Sequence, residues 1–108
     1  MQQRDYIERM VQQLAGAIAT ILGAASAGRF EEAERDLDRA WSGLGLRRTD
    51  VLRLDDDTVC ALLGAKTELA VRLLEAQSSV EEARGAREAA AALRARAMTL
   101  RATGRMSS

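Results

Sequence analysis

The chain has no histidine and no proline, a single cysteine, and only three aromatic residues, Tyr6, Phe30 and Trp41. Each absence narrows the reading. Without histidine the commonest general base and metal ligand is gone. Without proline nothing removes a backbone donor or wedges against a preceding turn, so helices can run unbroken. A lone cysteine, Cys60, excludes an intrachain disulfide framework and points to a reducing cytoplasm. No apolar run approaches the roughly 18 residues of a spanning helix. The opening Met-Gln-Gln-Arg-Asp-Tyr-Ile-Glu-Arg lacks the apolar centre of a signal peptide, so no membrane partner is expected. Nor does any glycine cluster precede a lysine and a serine or threonine, as a phosphate-binding loop requires.

What is present points to helices. The 108 residues are 47% hydrophobic and 30% charged, enough for one domain with one core. Alanine, leucine, arginine and glutamate dominate, all good helix formers, and the expected class is all-α. Sixteen basic residues balance sixteen acidic ones, so the whole-molecule field favours no polyanionic partner. The charges are unevenly placed, however. Residues 83–108 carry six arginines against the single Glu88, while residues 30–82 carry seven basic and thirteen acidic residues. That layout suits a basic last helix lying along acidic neighbours.

Apolar positions at Ile7, Val11, Leu14, Ile18, Ile21 and Ala25 step by three and four, predicting a first helix over about 4–27 that stops at Gly28. Asp5 lies near its N-cap. Phe30, Ala33, Leu37, Ala40, Trp41 and Leu44 predict a second over 30–44, ended by Gly43 and Gly45. The connector 46–56 has room for a short helical turn near Asp50. Asp55-Asp56-Asp57-Thr58 opens a third helix, drawn over 57–77, with Lys66 on its stripe and Gly64 inside; a break at Gly64 is the alternative. A fourth, over 80–102, carries Ala83, Ala86, Ala90, Leu93, Ala97 and Leu100 on its buried face. Residues 1–102 then form one domain, and 103–108 a frayed tail.

Gly28-Arg29-Phe30-Glu31-Glu32-Ala33 is echoed fifty residues on by Ser78-Ser79-Val80-Glu81-Glu82-Ala83. The first copy resembles the second helix of a tetratricopeptide repeat, in which a glycine turn, an aromatic residue and two spaced alanines let two helices pack closely. The resemblance makes Gly28, Phe30, Ala33, Leu37, Ala40, Val80, Ala83 and Ala90 packing positions. Asp5-Tyr6-Ile7 with Arg9, Val11 and Leu14 is similar to the start of a family of small bacterial proteins of unknown function with that fold. The similarity is best over 5–41 and implies a fold but no activity. The fifty-residue spacing departs from the thirty-four residues usual for such repeats.

Few residues suggest chemistry. Cys60 has no cationic neighbour in sequence to lower its pKa and reads as a buried, inert thiol. Asp55-Asp56-Asp57 lacks the spaced ligands of a calcium loop and reads as a helix cap. Arg87, Arg94 and Arg101 lie seven apart on one helical face, with Arg84 and Arg96 nearby. Such a row can face nucleic acid or an anionic surface, but without stacking aromatics it reads better as solvated or paired within the chain. Trp41 reads as core or as a subunit contact. Trp41, Arg87, Arg94 and Arg101 are thus the candidate interaction surface.

The expectation is two antiparallel helical hairpins stacked as a short tetratricopeptide-like array, with no enzyme activity, cofactor or metal. Two hairpins leave an apolar face to cover, so a homodimer is expected. The functional expectation is a cytoplasmic protein-interaction or scaffolding module, its rival a small nucleic-acid-binding or regulatory protein using the last helix's arginines. The module rests on fold-backs at Gly28 and near Ser78; a straight helix through either would remove that ground.

Overall fold

The computed structural model describes residues 3–107. It contains α1 (Gln3–Ser26), α2 (Phe30–Leu44), α3 (Arg48–Arg53), α4 (Asp56–Leu63), a 3-10 turn (Gly64–Lys66), α5 (Thr67–Ala83) and α6 (Arg87–Ser107), with no strand among the described residues. The all-α reading and the extents of the first two helices agree with it. Asp5 lies in the first turn of α1, where a carboxylate meets the positive helix end. Gly45, at φ 93°, closes α2, whereas Gly43 lies inside it. The short turn of the connector is α3, beginning two residues before Asp50.

Three expectations about the second half are corrected. The helix drawn over 57–77 is broken at Gly64, whose φ of 54° and ψ of −122° leave helical geometry. The fold-back placed at Ser78 does not exist. Ser78 lies inside α5, 2% exposed, with its hydroxyl donating to the Glu75 carbonyl at 2.6 Å. Val80 is core on the same helix, and Ala83 is the exposed last residue of α5 rather than a packing position of the next helix. The tail expected to fray from residue 103 is helical through Ser107, and Ser108 lies outside the described residues.

The chain turns instead at Gly85, and this turn copies the one at Gly28. Gly28 has φ 80° and Gly85 φ 89°, values that cost a side chain with a Cβ about 1–2 kcal/mol. Gly28 N–H donates to Ala25 O at 3.0 Å and Arg29 N–H to Ala24 O at 2.8 Å; Gly85 N–H donates to Glu82 O at 3.0 Å and Ala86 N–H to Glu81 O at 2.9 Å. Both turns therefore satisfy the last carbonyls of one helix in the same way. Ala33 and Ala90, each five residues past its glycine, are both fully buried. The echo in the chain is thus fifty-seven residues long, from Gly28 to Gly85, not fifty.

α5 is the helix around which the others assemble. It packs on α1, α2 and α6, and ten of its seventeen residues are buried, among them Leu69, Val71, Leu73, Leu74 and Val80. Trp41, fully buried, fills the space between α2 and α5, and its indole N–H donates to Gln77 Oε1 at 3.0 Å. The 3-10 turn preceding α5 places Lys66, the chain's only lysine, so that its ammonium donates to Leu44 O at 3.0 Å. A cation there satisfies an orphan carbonyl at the negative end of α2. Lys66 is therefore a cap on another helix, not part of the apolar stripe of a continuous third helix.

Two stability measurements follow from this geometry. Trp41→Phe should lower the urea unfolding free energy by about 1–3 kcal/mol, because it strands the buried Gln77 carbonyl; adding Gln77→Leu should recover part of the loss. Gly28→Ala and Gly85→Ala should each cost about 1–2 kcal/mol, and unchanged stability with alanine at either turn would contradict the assigned backbone.

Candidate interaction site

The arginine row on α6 meets an acidic row on α5. Glu68, Glu75 and Glu82 are seven apart, as are Arg87, Arg94 and Arg101, so each set occupies one face of its helix. Arg101 reaches Glu68 at 2.9 Å and Glu75 at 3.5 Å, and Arg94 pairs with Glu82. On the other side of α6, Arg96 holds Asp56 at 2.6 Å and the Leu54 carbonyl at 2.6 Å, joining α6 to the start of α4. Arg84 lies 5.3 Å over the Phe30 ring and 3.2 Å from Glu34, linking the end of α5 to the start of α2. Arg48 adds α3 to that group through Glu34 at 2.5 Å and Asp38 at 2.9 Å.

The residues singled out from sequence therefore separate. Arg94 and Arg101 are committed to glutamates of the same chain, while Arg87 is exposed at the start of α6. Trp41 is fully buried and so belongs to the core, not to a surface. Gly28 forms the first turn; Ala33 and Leu37 are buried, and Phe30 and Ala40 pack half-buried against the core. Glu68, Glu75 and Glu82 went unread in the sequence, although their heptad spacing, complementary to that of the arginines, is its own signal.

Cys60 is buried with its thiol facing the Leu100 carbonyl at 3.9 Å. Burial pushes its pKa up, the direction opposite to that of an activated nucleophile. Asp55 caps α4, its carboxylate accepting from Thr58 N–H at 2.8 Å. No cluster of three or more histidine, cysteine, aspartate or glutamate side chains among the described residues could hold a metal ion. No helix of the described residues is long and apolar enough to cross a membrane.

Two open apolar grooves flank α1. One, of about 390 Å³, runs between α1 and α5, walled by Val11, Ala15, Ile18 and Leu22 on one side and Ala76 and Ser79 on the other, with Arg72 and Glu75 at its rim. The other, of about 460 Å³, lies between α1 and α2 over Met10, Leu14, Ala17, Ala40 and Leu44, with Asp36 and Arg39 paired at 3.2 Å on its lip. Both fall within the size of ligand- and segment-binding clefts. Comparison with family models, curated proteins and solved structures finds no match to this chain.

The α5–α6 ladder makes stability acid-sensitive. The hydrogen bond from Arg101 holds the Glu68 carboxyl below its ordinary range, and the one from Arg94 does the same for Glu82. A carboxylate depressed in the fold stabilises it above its unfolded pKa, and that contribution fades as pH falls through the folded one. The thermal midpoint should therefore hold steady from about pH 7 to about pH 5 and fall below about pH 4. Glu68→Gln should start lower and fall less steeply in the same series, read by circular dichroism.

Proposed function

We propose that this chain is a small tetratricopeptide-like protein-interaction module that works in the cytoplasm and holds an apolar segment of a partner in the groove between α1 and α5. The fifty-residue echo lends this reading nothing, because Ser78 is interior helix. What supports the repeat-like part is the pair of matched glycine turns at Gly28 and Gly85, each joining two long packed helices. α1 and α5, the first helix of each pair, lie side by side. The observation that carries the functional part is the α1–α5 groove, an open apolar channel whose rim bears one charge of each sign, Arg72 and Glu75. Such a channel favours an amphipathic helix or extended peptide, with anchors in the floor and polar groups at the lip.

The rival reading, an arginine face for nucleic acid, has less to draw on. Four of its five arginines, Arg84, Arg94, Arg96 and Arg101, already face carboxylates of the same chain. Phosphate contact would have to displace those pairs.

Ala15 and Ser79 are exposed on opposite walls of the groove, so Ala15→Glu and Ser79→Glu put charge into the channel while leaving the core intact. Each should remove the proteins that co-purify with the tagged wild-type chain, with helicity and thermal midpoint unchanged. Arg87→Glu should leave the retained set as it is. An identical set on wild type and both groove variants would sink the proposal, and salt-sensitive retention of nucleic acid lost with Arg87→Glu would favour the rival.

A further inference from the structure

The bend between α4 and α5 turns on the backbone of one residue. Leu63, at φ −90° and ψ −30°, and Thr67, at φ −58° and ψ −42°, are both in helical geometry, and Lys66, at φ −89° and ψ 2°, lies at the edge of it. Gly64, at φ 54° and ψ −122°, adopts the mirror image of ordinary extended backbone, open to glycine and strained for a residue with a Cβ. No neighbour demands glycine there, since a Cβ would meet nothing within 4 Å. The sequence on either side reads straight through the bend. Cys60, Leu63, Thr67, Ala70 and Leu74, all buried, step by three and four across it, as they would on one helix. A short 3-10 stretch between two helices often marks a hinge.

The contacts that close the fold each join a residue before Gly64 to one after it. α1 and α2 pack on α5, and α4 packs on α6; Trp41 donates to Gln77, and Arg96 donates to Asp56. Every one of these pairs can form between two copies as well as within one. We propose that Gly64 is the hinge of an exchange between two copies of this chain: straightened there, α4 and α5 run as one helix from Asp56 to Ala83, and α1 to α4 of each copy pack on α5 and α6 of the other. The exchange removes the positive φ while keeping the core, and a short hinge under strain is the setting in which such swaps occur. Each exchanged dimer carries two α1–α5 grooves, each built from both copies. The exchange itself does not depend on what those grooves hold.

Gly64→Ala tests the hinge, because alanine is strained in the bent form and favoured in the straight helix. By sedimentation equilibrium its mass should lie near twice the 11.7 kDa of the chain, with helicity at or above that of wild type. Wild type refolded from urea at about 1 µM should remain a monomer. A second experiment keeps Gly64 and reads the exchange directly. Asp56→Arg and Arg96→Glu each set like charges at the α4–α6 contact of a lone chain or a self-dimer. Only an exchanged dimer of one variant with the other places opposite charges at both contacts. Refolded together at about 300 µM, the two variants should give mixed dimers at least tenfold over self-dimers. A monomeric Gly64→Ala of lowered stability overturns the hinge, and a mixture in which mixed dimers do not exceed their statistical share overturns the exchange. Either result leaves the α1–α5 groove untouched.

Discussion

The hydrogen bond from the Trp41 indole to the Gln77 amide oxygen sits where the fold has least freedom. α5 is surrounded by α1, α2 and α6, so most of its circumference is removed from water. A helix in that position keeps only a narrow polar stripe in solvent, Glu68, Arg72, Glu75, Ser79 and Glu82, and any polar side chain turned inward must find a partner. Gln77 is 6% exposed and finds the only indole in the chain. Because that donor has one direction and sits on a large rigid ring, the bond fixes the rotation of α2 against α5 as well as their spacing. Ser78 meets the same demand more locally by bonding back to Glu75. No side-chain polar atom among the buried described residues is left unpartnered.

Around this core the charges set register more than they add stability. The Glu68–Arg101 and Glu82–Arg94 pairs are half exposed, and solvent screening leaves such pairs little net stabilisation. Two complementary heptad rows nonetheless disfavour sliding α6 along α5, since a shift by a few residues would set arginines against alanines. The alanine-rich buried face of α6, with Ala90 and Ala97 against α5 and α4, supplies little shape to resist such sliding on its own. The uneven charge along the chain is thus resolved inside the molecule: the basic last helix lies on the acidic helix before it.

How far the sequence was legible depended on how many sides of a helix are wet. α1 and α2 each bury one face, and their three-and-four spacing named the core positions Leu14, Ile21, Ala33, Leu37 and Trp41 without help. α5 shows water only the narrow stripe of Glu68, Arg72, Glu75, Ser79 and Glu82, so its apolar residues fit no single face, and its ends were misplaced. The echo at Ser78 matched side-chain types, two glutamates and an alanine, whereas a helical fold-back needs a residue that tolerates positive φ. Gly85 met that need seven residues further on. Lys66 on an apolar stripe was a sign of the break at Gly64, since a lysine there makes sense once the 3-10 turn swings it onto Leu44. Of the candidate surface, Trp41 went inside because a single large side chain is worth more to a small core than to a face. The arginines found partners because a matching acidic row lay one helix away.

The two flanks of the molecule differ for a physical reason that bears on what each can do. On the α6 side, α4 and α5 both approach, and arginines facing each of them lace the helix to its neighbours. A ligand arriving there must compete with pairs already made. On the α1 side the chain offers the opposite chemistry, nineteen residues without a charge, small side chains on the crest and an open apolar groove to either hand. Charged residues on a water-facing helix cost nothing and improve solubility, so their absence from this one crest is a constraint on the sequence that the monomer's own packing does not impose. The proposed seating of a partner segment along α1 supplies such a constraint. In the proposed reading α1 carries recognition, and the charges elsewhere hold its neighbours in place.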